Sequence, residues 1–144
     1  MKRRIVALLL LLVTLGTLAL SVAASDNEIM PRLNNTATTS TNFVISSSGM
    51  ATISAVYNGY QNITTGAKIT SYIEKRTLGI FWNKVDIGET NNEWVDTSSD
   101  YLGAFGHQFQ LPSTGTYRAT VVYEISGTGG ATDVIEYEQE RTYS

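Results

Sequence analysis

From Asn42 onward, apolar and polar side chains alternate along the chain, and turn-forming residues interrupt the alternation about every 8 to 12 positions. Ala51, Ile53, Ala55 and Tyr57 alternate with Thr52, Ser54 and Asn58, up to a turn at Asn58-Gly59. Ile69, Ser71 and Ile73 alternate with Lys68, Thr70, Glu74 and Arg76. Thr77-Leu78-Gly79 then predicts a tight hairpin into a strand over Ile80–Ile87, closed by Gly88. Gly103, Phe105, His107, Phe109 and Leu111 share one parity, as do Tyr117, Ala119, Val121, Tyr123 and Ile125. After the turn cluster Gly127-Thr128-Gly129-Gly130, Ile135, Tyr137 and Gln139 oppose Val134, Glu136, Glu138 and Glu140. A period of two puts every second residue on one side of an extended chain, so odd-numbered residues are expected to face a core.

This pattern predicts seven or eight strands and no helix after the first two dozen residues. β-Branched and aromatic residues dominate, and no dozen-residue stretch holds a 3.6-residue apolar period. Strands with one apolar and one polar face belong to antiparallel sheets, and two such sheets bury their single faces against each other. The expected fold is therefore an all-β antiparallel sandwich over residues 41–144. Residues 25–40, with Pro31, Asn34, Asn35 and a Thr/Ser-rich stretch, read as a flexible lead-in with room for an edge strand at its end.

The first 24 residues have a different character. Met1-Lys2-Arg3-Arg4 is a short positive start, Ile5 to Leu20 is an apolar run, and Ser21-Val22-Ala23-Ala24-Ser25 supplies small residues for a signal peptidase. Residues 1–24 are read as a helical signal peptide. The same run is long enough to serve as a membrane anchor if it is not cleaved. Either way, the rest of the chain is expected outside the cytoplasm, secreted or held at the envelope.

Export changes the charge of what remains. Lys2, Arg3 and Arg4 leave with the signal, so seven bases stand against 13 acids and the mature charge is −6. That charge disfavours nucleic acid and anionic membranes as partners. The absence of Cys excludes disulfides, thiolate metal sites and cysteine nucleophiles, so the domain must hold together by packing alone. Cysteine-free export points to a bacterial source. No cofactor is expected.

Ser113-Thr114-Gly115-Thr116-Tyr117-Arg118-Ala119 resembles the tyrosine corner of immunoglobulin-like sandwiches, with Ala119 where an antibody domain carries its second Cys. The resemblance implies that Tyr117 packs its ring inward and returns its hydroxyl to backbone in the preceding loop. Several longer segments also carry a likeness: Pro31-Arg32-Leu33-Asn34-Asn35-Thr36, Leu78-Gly79-Ile80-Phe81-Trp82-Asn83-Lys84-Val85-Asp86, Trp94-Val95-Asp96-Thr97-Ser98 and Gly115-Thr116-Tyr117-Arg118-Ala119-Thr120. Together they resemble a family of short, uncharacterised exported proteins of Gram-positive bacteria. That likeness implies secretion and a β-sandwich, and no functional residues.

The inventory of chemical groups is thin. His107 is the single imidazole and shares the parity of Phe105 and Phe109, which suits a hydrogen-bonded, partly buried residue better than a catalyst. No G-x-S-x-G elbow accompanies it. Asp86, Glu89, Glu93, Asp96 and Asp100 cluster in or beside one connection, but without the spacing of a calcium loop, and they read first as solvated acids. Lys75, Arg76 and Lys84 suit the protection of an edge strand. The aromatic set is the more informative one. Tyr72 and Trp82 lie on parities opposite Ile73 and Val85, so either can face outward, and Trp94 joins them as a possible ligand surface. The reading is a non-enzymatic exported module that contacts a protein or glycan at the cell surface, the alternative being a carbohydrate-binding module using Tyr72, Trp82 and Trp94. Its oligomeric state is left open.

Overall fold

The alternation resolves into eight strands: β1 (Thr36–Ile45), β2 (Met50–Gly59), β3 (Thr64–Thr77), β4 (Phe81–Lys84), β5 (Trp94–Ser98), β6 (Leu102–Gln110), β7 (Gly115–Gly127) and β8 (Asp133–Tyr143). The computed structural model describes residues 33–144, so the expected signal peptide and the lead-in up to residue 32 lie outside the described residues. One sheet has the order β1-β2-β6. The other has the order β4-β3-β7-β8, with β5 pairing with β3 beside β4. Every strand pair is antiparallel. The chain changes sheets between β2 and β3, between β5 and β6, and between β6 and β7, as an immunoglobulin-like sandwich does.

The odd-numbered residues of β1, β2, β3, β6 and β7 do meet in one interior, whereas on β5 the inward side carries even-numbered Trp94 and Asp96 and leaves Val95 exposed. Ile53 and Tyr57 from β2, Ile69 and Ile73 from β3, and Val121, Tyr123 and Ile125 from β7 are almost wholly buried, with Phe43 from β1. Phe105 and Phe109 of β6 pack against this core from a strand at the sheet's edge. A partly wetted position is what an edge strand offers its inward side chains. Burial of each such side chain contributes about 1.5–3 kcal/mol, which is how the domain stands without a crosslink.

Tyr117 is a corner residue. Its ring is fully buried near the start of β7, and its hydroxyl donates to the Ser113 carbonyl at 2.6 Å. Because that carbonyl lies in the loop entering β7, the bond fixes how the loop turns into the strand. Tyr117→Phe keeps the ring and deletes the bond. The variant is expected to lose about 1–2 kcal/mol in urea unfolding, the worth of a hydrogen bond whose acceptor is then stranded. A loss within a few tenths would show that the corner is held by packing alone.

Two expectations about boundaries change. The lead-in read over 25–40 is already ordered at its C-terminal end, since β1 begins at Thr36 and both Asn35 and Thr36 are buried. The cause is Asp133, whose carboxylate accepts the Asn34 and Asn35 N–H groups at 2.9 and 2.8 Å and the Thr36 hydroxyl at 2.9 Å. The strand expected over Ile80–Ile87 is also shorter. β4 stops at Lys84 after pairing with Glu74, and Val85 adds one more bond by donating its N–H to the Ile73 carbonyl at 2.8 Å. Asp86 Oδ1 then accepts the Gly88 N–H at 3.0 Å and turns the chain away from the sheet. The hairpin itself forms as expected, with Leu78 (φ 51°) and Gly79 (φ 75°) both in the left-handed region of a tight turn.

Candidate functional site

Pairing register decides which side chains share the outer face of the β4-β3-β7-β8 sheet. Arg76 lies opposite Trp82, Glu74 opposite both Lys84 and Arg118, and Tyr72 opposite Thr120. Cross-strand partners share a face, and Tyr72, Glu74 and Arg76 have the polar parity of β3. Tyr72 and Trp82 therefore stand together on the outside of the sheet, each half-buried.

Their rings are occupied by cations of the same face. The Arg118 guanidinium lies 4.6 Å from the Trp82 ring centre and that of Arg76 5.7 Å, while Lys84 Nζ stands 4.2 Å from the centre of Tyr72. Arg118 also donates through Nε and Nη2 to Glu74 Oε2 at 2.9 and 2.6 Å, and Nη1 lies 3.1 Å from Glu138. Burial would lower the Arg118 pKa, but the Glu74 and Glu138 carboxylates outweigh it and hold the guanidinium above its ordinary range. Lys84 pairs with Glu93. The result is a ladder of charge and ring running from β4 across β3 to β7 and β8. It is tight enough that Thr120, on the outward parity beneath it, is fully buried with its hydroxyl unpartnered.

Trp94 is not part of this face. It pairs with Ser71 on the inward side of β5, stacks on His107 at 4.9 Å between ring centres, and meets the edge of Phe109 at 6.5 Å. His107 Nε2 lies 2.7 Å from Asp96 Oδ2. Because His107 is on β6 and Asp96 on β5, this group joins the open edges of the two sheets. The three rings read from the sequence as one possible ligand surface are thus divided, with Tyr72 and Trp82 outside and Trp94 in the seam. Of the acids near that connection, Asp96 and Glu93 each have a basic partner, and no group of three or more potential metal ligands occurs among the described residues. Nor is any helix among them long and apolar enough to cross a membrane.

The two most exposed large apolar side chains among the described residues, Leu78 and Ile80, belong to the β3–β4 hairpin, and exposed Phe81 adjoins them. Leu78 is 88% exposed, Ile80 70% and Phe81 56%. Phe81 has the parity of buried Val85, so alternation predicts it inward. It is exposed because β4 packs on β3 and on little else, leaving the hairpin tip beyond the core. Composition held a signal for this feature, since Leu and Ile beside the turn Gly79 are poor turn formers. The base of the tip is fastened by the Arg76 Nε–H bond to the Gly79 carbonyl at 2.7 Å and by the Asn83 amide bond to Thr77 Oγ1 at 2.6 Å. No protein family, curated protein or solved structure matches this chain.

Proposed function

We propose that this chain is an exported, non-enzymatic β-sandwich module that binds a protein partner outside the cell or at its envelope, and that the β3–β4 hairpin makes the contact. The reading rests on one observation above the others: Leu78, Ile80 and Phe81 stand exposed at the end of a hairpin whose base is braced by bonds and cation–ring contacts. A rigid apolar projection loses little entropy on binding and gains by leaving water, which makes it a suitable centre for an interface. Export is supported by the positive start, the apolar run and the small-residue site of residues 1–24, and a Gram-positive origin by the sequence likeness described above. His107 is committed to Asp96 and Trp94, which favours a structural role for the one imidazole. The glycan reading rests on Tyr72 and Trp82 alone, and a sugar stacking on either ring must compete with Lys84 or Arg118 for it.

A photo-crosslinking side chain at Ile80, displayed to cells of the producing species, is expected to yield a discrete adduct that unlabelled wild-type protein competes away. The Leu78→Ser/Ile80→Ser/Phe81→Ser variant should unfold within about 1 kcal/mol of wild type, because surface positions contribute little to stability, and should not compete. The same probe at Val134, an exposed position on β8, should give no such adduct. Equal competition by the triple variant would overturn the hairpin as the contact.

A further inference from the structure

A strand at the edge of a sheet is a template for another strand, and proteins usually guard such edges with charge, proline, bulges or short length. Three of the sheet edges here are guarded. β8 carries Glu136, Glu138, Glu140 and Arg141, all exposed. β1 has a register shift between Thr36 and Thr38, and two of its outward groups, the Phe43 N–H at 2.9 Å and the Thr41 carbonyl at 3.0 Å, are taken by the Gln139 side chain. The β4/β5 edge is broken into strands of four and five residues. β6 is different: Leu102–Gln110 runs for nine residues with no Asp, Glu, Lys or Arg, no proline and no register shift against β2.

Its free groups can be identified. At the two ends of the β2–β6 ladder, the Leu111 N–H donates to the Gly49 carbonyl at 3.0 Å and the Gly59 N–H to the Tyr101 carbonyl at 2.7 Å. Bonded pairs recur every second residue in an antiparallel ladder, so the odd residues of β6 bond β2. Leu102, Ala104, Gly106, Gln108 and Gln110 then turn their N–H and C=O groups to the open edge.

We propose that this edge pairs with β6 of a second copy of the same chain, antiparallel, about a two-fold axis at Gly106, so that two three-stranded sheets become one of six. An axis at the strand's midpoint uses its full length. Gly106 then faces its own copy, Ala104 faces Gln108 and Leu102 faces Gln110, which sets each long side chain against a smaller or apolar one and no charge against its like. Such self-complementarity is what a closed, isologous dimer requires. A disordered peptide is the weaker occupant. Binding would have to order it at about 1–2 kcal/mol per residue, and the outward row of β6 has only Ala104 and Gly106 at its centre to contribute side-chain contact that offsets it. A second copy brings a strand that is already extended.

Gly106 also provides the test. A Cβ there would meet only the Ile53 carbonyl, at an ordinary 3.6 Å, so side chains can be added without disturbing the fold. Wild-type protein is expected to pass from monomer to dimer as its concentration rises in sedimentation equilibrium. Gly106→Lys and Gly106→Glu, each placing like charges on the axis, should each raise the dimer dissociation constant about tenfold or more. An equimolar mixture of the two should recover the dimer mass, and a recovery of this kind cannot come from misfolded variants. A wild type that stays monomeric into the millimolar range, or a dimer that both variants leave unchanged, would overturn the proposal.

Discussion

Asp133→Ala is expected to destabilise the domain by about 4 kcal/mol, because it strands two backbone N–H groups and a hydroxyl that are buried or part-buried and bonded to a charge. The donors belong to Asn34, Asn35 and Thr36, and the last two are almost wholly buried. Water cannot replace the carboxylate there without opening the end of the sandwich. The loss would propagate, since the Asn35 side chain bonds the Ala131 carbonyl at 2.8 Å and accepts the Gly129 N–H at 3.1 Å, tying the β7–β8 turn to the same clamp. Against a typical total of about 5–15 kcal/mol, such a variant is marginal at best. Its melting temperature should fall by roughly 15 °C, with the N–H groups of residues 34–36 exchanging hydrogen faster than those of β2. A fall of only two or three degrees would show that β1 is anchored by its pairing with β2 and not by Asp133.

The same carboxylate gives the domain an acid limit. Burial pushes the Asp133 pKa up, but the amides of Asn34, Asn35 and Thr36 and the Thr36 hydroxyl together push it further down, so in the folded protein it lies below its ordinary 3.8. A depressed carboxylate contributes stability that is complete above the unfolded pKa and is lost as pH falls through the folded one. Stability should therefore hold down to about pH 4 and then decline. Asp133→Asn, which cannot titrate, should start lower and lack this part of the decline, so the two curves converge in acid.

Why the clamp could not be read from the sequence is plain from its span. Asn34 and Asp133 stand 99 positions apart, and neither has a local pattern that announces the other. The core was legible for the opposite reason. Each strand buries a single face, so parity alone assigns Ile53, Ile69, Val121 and Ile125 inward without knowledge of which strand lies beside which. The odd-inward parity fails at Phe81, where the hairpin extends past the core and the inward direction meets no opposing sheet, and on β5, where the connection from β4 shifts the phase so that Trp94 faces inward and Val95 outward. Register limits the rest. Tyr72 and Trp82 could be given an outward side from alternation, but the Arg118 contact depends on β3 lying between β4 and β7, and the division of Trp94 from the other rings depends on β5 pairing with β3. Those are facts of topology, and a period of two carries none of them.

Arg118→Ala is the second large effect, with an expected cost of about 2 kcal/mol. Breaking a buried ion pair from one side costs more than the pair contributes, because the remaining charge has been removed from water. Here the side chains of Arg118 and Glu74 are 20% and 12% exposed, so partial solvation keeps the cost below that of a fully buried pair. Glu74 would then face its cross-strand neighbour Lys84, which is already engaged with Glu93 and the Tyr72 ring. Arg118→Lys keeps the charge but neither the fork that bonds Glu74 through two nitrogens nor the flat group that stacks on Trp82, and should fall between. Arg118→Ala/Glu74→Gln should recover part of the loss, giving a coupling of about 1 kcal/mol or more in a double-mutant cycle. The consequence for function lies in β4. That strand pairs with β3 over only four residues, and the stack of Trp82 on Arg118 is what fastens it to β7. Without Arg118, the amides of Phe81–Lys84 should exchange hydrogen faster while those of β2 keep their order of protection, and crosslinking from Ile80 should weaken although Leu78, Ile80 and Phe81 are untouched. Unchanged exchange in β4 would mean that the hairpin is rigid by its own turn and pairing, and that the ladder serves the sheet alone.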